Sequence, residues 1–234
     1  MELLNENNIR PSKILRGIAL TLFSITVLFT IIGGAGTVCI AVGAENYENL
    51  KMLAPYKWLY QIFVVVKFAI GFWGLHIIYT LFKGRKKAYR NALIILIIGL
   101  LVASAQMITS EILRGKTMPV DIRFYITLIT LIFFLIVKHP SIWARVDFTL
   151  FRKDKSKVTV AGSTMLIAGL ITITTPIWAS SSHITSTGFN LVNVLAVPLF
   201  YSGIALFLFG VSTLVYSARK VLKQVKLDKV ESTT

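Results

Sequence analysis

The sequence predicts an all-α, polytopic integral membrane protein: a bundle of six transmembrane helices with both termini in the cytoplasm. Three observations carry this expectation. The chain of 234 residues is 55% hydrophobic and only 15% charged, whereas soluble domains are about 25% charged. Its apolar residues gather into six runs of the length a bilayer crossing needs, about 20 residues each. The segments between the runs alternate between basic and non-basic without exception.

The runs are Ile14–Ala44, Trp58–Phe82, Tyr89–Ser110, Pro119–Val137, Val158–Ala179 and Val194–Ala218. Ahead of the first, an acidic start gives way to Arg10, Lys13 and Arg16. The run that follows lacks a small-x-small cleavage site in a polar setting, so a retained helix is expected rather than a signal peptide. Between the second and third runs, "KGRKKAYR" carries Lys83, Arg85, Lys86, Lys87 and Arg90 with no acid. The connector "ARVDFTLFRKDKSK" and the tail "RKVLKQVKLDK" are also basic. The intervening connectors are "ENYENLKMLAPYK", "EILRGKTMPVDIR" and "SSSHITSTGFNLVN". By the positive-inside rule the basic segments face the cytoplasm, which makes this a multi-pass protein of a prokaryotic-type cell membrane. The net charge of +15 is then topology signal, with attraction to anionic headgroups of about 1 kcal/mol per basic residue. Membrane lipids, not nucleic acid, are the expected partners of that charge.

The long basic connector divides the chain into a four-helix membrane bundle over 1–140, an amphipathic cytoplasmic connector over 141–157, a transmembrane hairpin over 158–218 and a basic tail over 219–234. In the connector, Trp143, Val146, Phe148 and Phe151 alternate with charges, a pattern suited to lying flat on the membrane face. Tyr56, Trp58, Tyr60, Trp143 and Trp178 fall near run ends, where amphipathic rings sit at headgroup depth. Six spans permit an inverted repeat, yet Ile14–Ser110 and Pro119–Ala218 show no convincing match.

Small residues let helix backbones approach in lipid. Ala196, Gly203, Gly210 and Ser217 recur every seven residues in the sixth run, and Gly162 and Gly169 do so in the fifth; a tight antiparallel hairpin is expected. The first run holds Gly33, Gly34, Gly36 and Gly43 in its outer half. These glycines serve either helix packing or a short unwound stretch, since glycine costs up to about 1 kcal/mol relative to alanine in a helix. In "TITTPIW", Thr172, Thr174 and Thr175 precede Pro176, where their hydroxyls either satisfy carbonyls freed by the proline or line a polar path. Pro198 offers a second kink.

Lys67 stands well inside the second run. It either snorkels outward along its own stem or pairs within the bundle, where ionisable groups of membrane helices usually find partners. The expected partners are Glu111 at the outer end of the third run, Gln106 deeper on it, and Asp121 at the start of the fourth. Glu111 also has Arg114 nearby as an alternative partner. His76 and His139 stand at depths that do not favour paired haem ligation, and His183 lies in an outer connector. One cysteine, Cys39, forms no intrachain disulfide, and no Cys/His cluster suggests zinc.

There is no HExxH, GxSxG or Walker sequence, so no catalytic, cofactor-binding or metal residues are assigned and an enzyme is not expected. No cofactor is predicted, although apolar pockets for quinone or lipid leave few diagnostic residues. The first function expected is a non-catalytic subunit or scaffold of a larger membrane complex, with protein partners or a homo-oligomer. The alternatives are a small-solute or ion transporter or channel using Lys67, and a quinone-binding oxidoreductase subunit near Lys67, Trp73 and His76. In outline, the first four spans with their short outer connectors and basic inner one resemble the DoxX-like four-helix membrane proteins; no residue role is carried over from that outline.

Overall fold

The computed structural model describes residues 13–146, 148, 157–180, 184–185 and 187–231. The acidic start with Arg10, most of the basic connector, and His183 lie outside the described residues. Helices α1 (Lys13–Gly43), α2 (Lys57–Phe82), α3 (Ala88–Arg114), α4 (Val120–Val137), α5 (Pro140–Val146), α6 (Lys157–Ala179), α7 (Leu191–Val194) and α8 (Ala196–Glu231) account for most of them. Two 3-10 segments, Ala44–Asn46 and Glu48–Tyr56, join α1 to α2. Six helices are long and apolar enough to cross a membrane, and no strand occurs among the described residues beyond an isolated bridge between Ile184 and Asn190. The protein is a polytopic α-helical membrane protein. Its chain divides into two compact units, Met1–Asp154 and Lys155–Thr234.

In the first unit α1 packs against α2 and α4, and α3 against α2 and α4, giving a four-helix arrangement closed on itself. The α1–α2 contact keeps one antiparallel register along its length. Val27 faces Gly74, Ile31 faces Gly71, and Gly34 faces Lys67; further on, Gln61 donates to the Ala41 carbonyl and Lys57 pairs with Glu45 at 2.9 Å. Gly71 and Gly74 set this register sterically. A β-carbon on Gly71 would stand 2.5 Å from Ile31 Cγ1, and one on Gly74 would stand 2.6 Å from Val27 Cγ2, so each glycine admits a branched side chain of α1 against its backbone.

Both ends of the unit are closed by apolar groups. At one end the 3-10 segments fold Leu50 and Leu53 onto Ile40, Ala41, Ala44, Tyr60 and Phe63. At the other, Tyr89, Phe134, Phe148 and Trp143 form a cluster of rings that Phe23 joins through Phe134. Tyr89 also donates its hydroxyl to the Phe134 carbonyl, which holds α3 to the last turn of α4. The sequence suggested that the segment around Trp143 lies on the membrane face. Its described part instead has Val146 and Phe148 buried in the unit, because aromatic partners are there to receive it.

In the second unit α6 and α8 meet backbone to backbone. A β-carbon on Gly169 would stand 2.6 Å from the Phe207 nitrogen, and one on Gly210 would stand 2.5 Å from the Leu166 nitrogen and 2.8 Å from the Gly162 carbonyl. Thr159 and Ser217 share a hydrogen bond at 2.8 Å toward one end. The seven-residue glycine spacing thus lies on the contact itself.

Several local expectations are corrected. Helix α1 runs unbroken from Lys13 to Gly43, so the glycine-rich stretch is not unwound. Pro198 falls in the first turn of α8, where a missing N–H is no loss; the break comes earlier, at Leu195, after Asn190 caps α7 by accepting from the backbone nitrogens of Val192 and Asn193. Helix α6 continues through Pro176 to Ala179. Thr172, Thr174 and Thr175 return their hydroxyls to carbonyls of their own helix, Ala168, Leu170 and Ile171. Helix α8 continues to Glu231, so the first part of the basic tail is helical.

Candidate functional site

Lys67 lies at the contact of α2 with α1, and it does not snorkel. The residue is 2% exposed, and its ammonium turns into the unit, donating to Thr37 Oγ1 at 2.6 Å and to the Gly33 carbonyl at 3.1 Å. Two adjacent glycines make this possible. Gly34 leaves room for the lysine stem, since a β-carbon there would already sit 3.4 Å from Lys67 Cβ. Gly33 supplies the accepting carbonyl, and its own missing side chain faces Arg123, whose Cδ would lie 3.7 Å from a β-carbon at that position.

Thr37 is the hub of the hydrogen bonds. Its hydroxyl donates to the Gly33 carbonyl at 2.6 Å, accepts from Lys67, and accepts from Gln106 Nε2 on α3 at 3.4 Å. A hydroxyl has a single proton. With that proton on Gly33, Thr37 presents only lone pairs to α3, so the Gln106 amide must turn its nitrogen toward it. Gln106 Oε1 then points elsewhere; it is buried and has no hydrogen-bond partner among the described residues.

The fourth helix contributes a second cation. Arg123 is 4% exposed, and none of its Nε, Nη1 and Nη2 atoms has a hydrogen-bond partner among the described residues. The sequence analysis counted Arg123 with the connector charge; the structure puts it on α4, in the interior beside Gly33 and Lys67. No carboxylate among the described residues accompanies the pair. Glu111, expected beside Lys67, is exposed at the surface of α3. Asp121 is half-buried and engaged locally, accepting from Thr117 at 3.4 Å and from the Ile122 nitrogen at 2.8 Å. Glu45 and Glu48 are exposed. Of the four residues that the sequence grouped, Lys67 and Gln106 meet through Thr37, and Glu111 and Asp121 stand apart.

Around this centre the unit carries a seam of buried hydroxyls. Thr26, Thr30 and Thr37 line α1, and Thr127 and Thr130 continue below Arg123 on α4. Thr26 and Thr130 touch across the two helices at 2.7 Å. Thr30, Thr127 and Thr130 donate to carbonyls of their own helices. On α3, Ser110 follows Gln106 by one turn and lies against the Tyr60 hydroxyl. In the α1–α2 register, where Lys67 faces Gly34, Tyr60 stands level with Ala41, so the seam from Thr26 to Tyr60 extends about 22 Å at 1.5 Å per residue.

His76 and His139 are exposed, and no group of three or more metal-ligating side chains occurs among the described residues. Comparison of the chain with protein families, with curated proteins and with solved structures finds no match.

Proposed function

We propose that the four-helix unit binds a small anion between Lys67 and Arg123 and carries it across the membrane. The observation behind this reading is the Arg123 guanidinium, buried with three unpartnered nitrogens beside a second buried cation and away from every described acid. Burying an ion costs several kcal/mol even after relaxation, and an ionisable group inside a membrane protein is by default a functional group. An anion would compensate both charges and accept from the guanidinium donors. A neutral quinone would accept hydrogen bonds and leave the charge uncompensated, so the site favours an anionic solute. The scaffold expectation rested on missing catalytic motifs, small-residue packing faces and a basic inner face; the buried cations favour the carrier over it.

The seam of hydroxyls supports passage as well as binding, because it continues the polar interior of the unit beyond the two cations. In this reading the apolar closures at the two ends of the unit would open in turn. In this reading the 3-10 segments lie at the outer face and the ring cluster at the cytoplasmic one, the orientation that the charge pattern favours.

The reading is tested on the full chain in nanodiscs of zwitterionic lipid, by thermal unfolding in chloride, nitrate, acetate and phosphate at constant ionic strength. Saturable stabilisation by at least one anion is expected, about 2.7 kcal/mol at a hundredfold excess over Kd, and it should vanish in Arg123→Leu. Absence of a saturable response to every anion rejects the reading. Flux of the binding anion into liposomes then tests the carrier part.

A further inference from the structure

Resting on the anion reading above, we infer that Lys67 carries a proton in step with the anion. It is an ammonium while a monovalent anion is bound and a neutral amine when the site is empty, so that one proton moves with each anion.

The hydrogen bonds at Nζ fit both forms. An ammonium has three N–H donors, a neutral amine two. Lys67 Nζ meets Thr37 Oγ1 at 2.6 Å and the Gly33 carbonyl at 3.1 Å, and no third acceptor among the described residues. The amine keeps both hydrogen bonds. The ammonium adds one proton with nothing to receive it, on a residue that is 2% exposed.

The charges around Nζ lead the same way. On α1 the groups against Lys67 are Gly33, Gly34 and Thr37, none of which titrates. On α3 the neighbour through Thr37 is Gln106, also uncharged. Within α2 the nearest titratable side chains, Tyr60 and His76, are about two turns away or more. On α4 stands Arg123, which acts on Lys67 as a like charge. The two share Gly33: its carbonyl receives Lys67, and its α-carbon faces the Arg123 stem. The acids nearest in sequence are engaged elsewhere or exposed, Glu45 with Lys57, Asp121 with Thr117 and the Ile122 nitrogen, and Glu111 at the surface. Of two like charges in one interior, the arginine cannot give way, because a guanidinium is not deprotonated in proteins. The lysine can.

An anion reverses both effects. It offsets the repulsion and accepts the third N–H, so anion and proton each favour the binding of the other by the same factor. The Nζ lone pair takes the proton from water on the side to which the unit has opened. It returns that proton to water on the other side as the anion leaves. Arg123 stays charged throughout. The interior therefore holds one net positive charge when empty, from the guanidinium alone, and the same when loaded, from guanidinium, ammonium and anion together. The membrane potential acts on each elementary charge that crosses, and here it would find no difference between the loaded and the empty unit.

The test uses the full chain in nanodiscs of zwitterionic lipid, with its lysines labelled with nitrogen-15. The probes are chloride, nitrate and acetate, none of which titrates between pH 7 and 9. In zwitterionic buffer at pH 8 without a probe, one lysine nitrogen is expected to resonate as a neutral amine, since Lys67 is the buried lysine among the described residues. Lys67→Met should remove that signal, and saturating anion should convert it to an ammonium. The affinity for the tightest probe should fall about tenfold per pH unit from 7 to 9, the linkage of a single proton, and calorimetry in two buffers of different ionisation enthalpy should count one proton taken up. In Lys67→Met, binding should weaken and lose its pH dependence; if that variant does not fold, the wild-type resonance and proton count decide. A Lys67 that is an ammonium without anion overturns the inference. A neutral amine with anion affinity independent of pH overturns the coupling and leaves the anion reading standing. A neutral amine with no saturable response to any anion removes that reading, and the coupling with it.

Discussion

Lys67 and Thr37 meet across the α1–α2 contact at 2.6 Å, and the same threonine oxygen also receives Gln106 and gives its proton to Gly33. Three helix faces therefore depend on one hydroxyl. Thr37→Val keeps the shape and removes the oxygen, which leaves a buried ammonium with the Gly33 carbonyl alone. Destabilisation of about 1–3 kcal/mol is expected, read as a lowered Tm in detergent, with Thr37→Ser near the wild type. Equal stability of the valine variant would mean that Lys67 turns to another acceptor.

Arg123 leads to the opposite sign. Replacing a buried, uncompensated charge by a hydrophobe of similar volume is often neutral or stabilising by about 1–4 kcal/mol. Without added anion, Arg123→Leu is expected to unfold at or above the temperature of the wild type while losing anion binding. A Tm several degrees below the wild type would show that the guanidinium is already compensated within the chain.

Glycines with similar sequence surroundings should respond differently. At Gly169 a β-carbon would meet the Phe207 backbone nitrogen at 2.6 Å and the Gly203 carbonyl at 2.7 Å, and backbone has little freedom to give way. Gly169→Ala is expected to cost about 1–3 kcal/mol, the range for overpacked sites. At Gly36 nothing stands within 4 Å of an added β-carbon, so Gly36→Ala should gain up to about 1 kcal/mol from helix propensity. Thermal unfolding of the two variants side by side checks both signs.

Orientation is open to a labelling test, because Cys39 is the sole cysteine. In a Cys39→Ser background, Lys51→Cys should react with a membrane-impermeant maleimide on intact cells, whereas Arg85→Cys should react only after permeabilisation. Labelling of Arg85→Cys from outside would reverse the proposed topology.

The membrane fold was legible because apolar length alone selects the spans. Helices α1 to α4 and α6 begin within a residue or so of the expected runs. The sixth run was cut short at Ala218, where apolarity ends but helicity does not: "RKVLKQVKLDKVE" is rich in Lys, Leu, Arg and Gln, all good helix formers. The site was half legible. Lys67 is conspicuous in any hydropathy trace, and Gln106 lies at a similar depth. Glu111 was matched to them by depth, yet it follows Ser110, which faces inward, and one further residue turns a side chain by about 100° around a helix. Depth does not report that rotation. Arg123 was overlooked because it lies close to a connector. Its signal was the spacing Arg123, Thr127, Thr130, one polar face of an apolar helix, matched by Thr26, Thr30 and Thr37 on α1.

The fixed α1–α2 register acts as a ruler with notches only at its glycines. Ile31 and Val27 seat in Gly71 and Gly74, and the next contact along brings Lys67 to Gly34. A slip by one helical turn, about 5.4 Å, would either set Phe63 opposite Gly34 and drive Ile31 toward Lys67, or set Gly71 there and drive Val27 toward Ile78, so that a branched side chain loses its glycine in both directions. The position of the ammonium is thus determined a full turn or more away from it, by two residues that carry no charge. Changes to the apolar notches would retune the height of the charge in the membrane without touching the lysine.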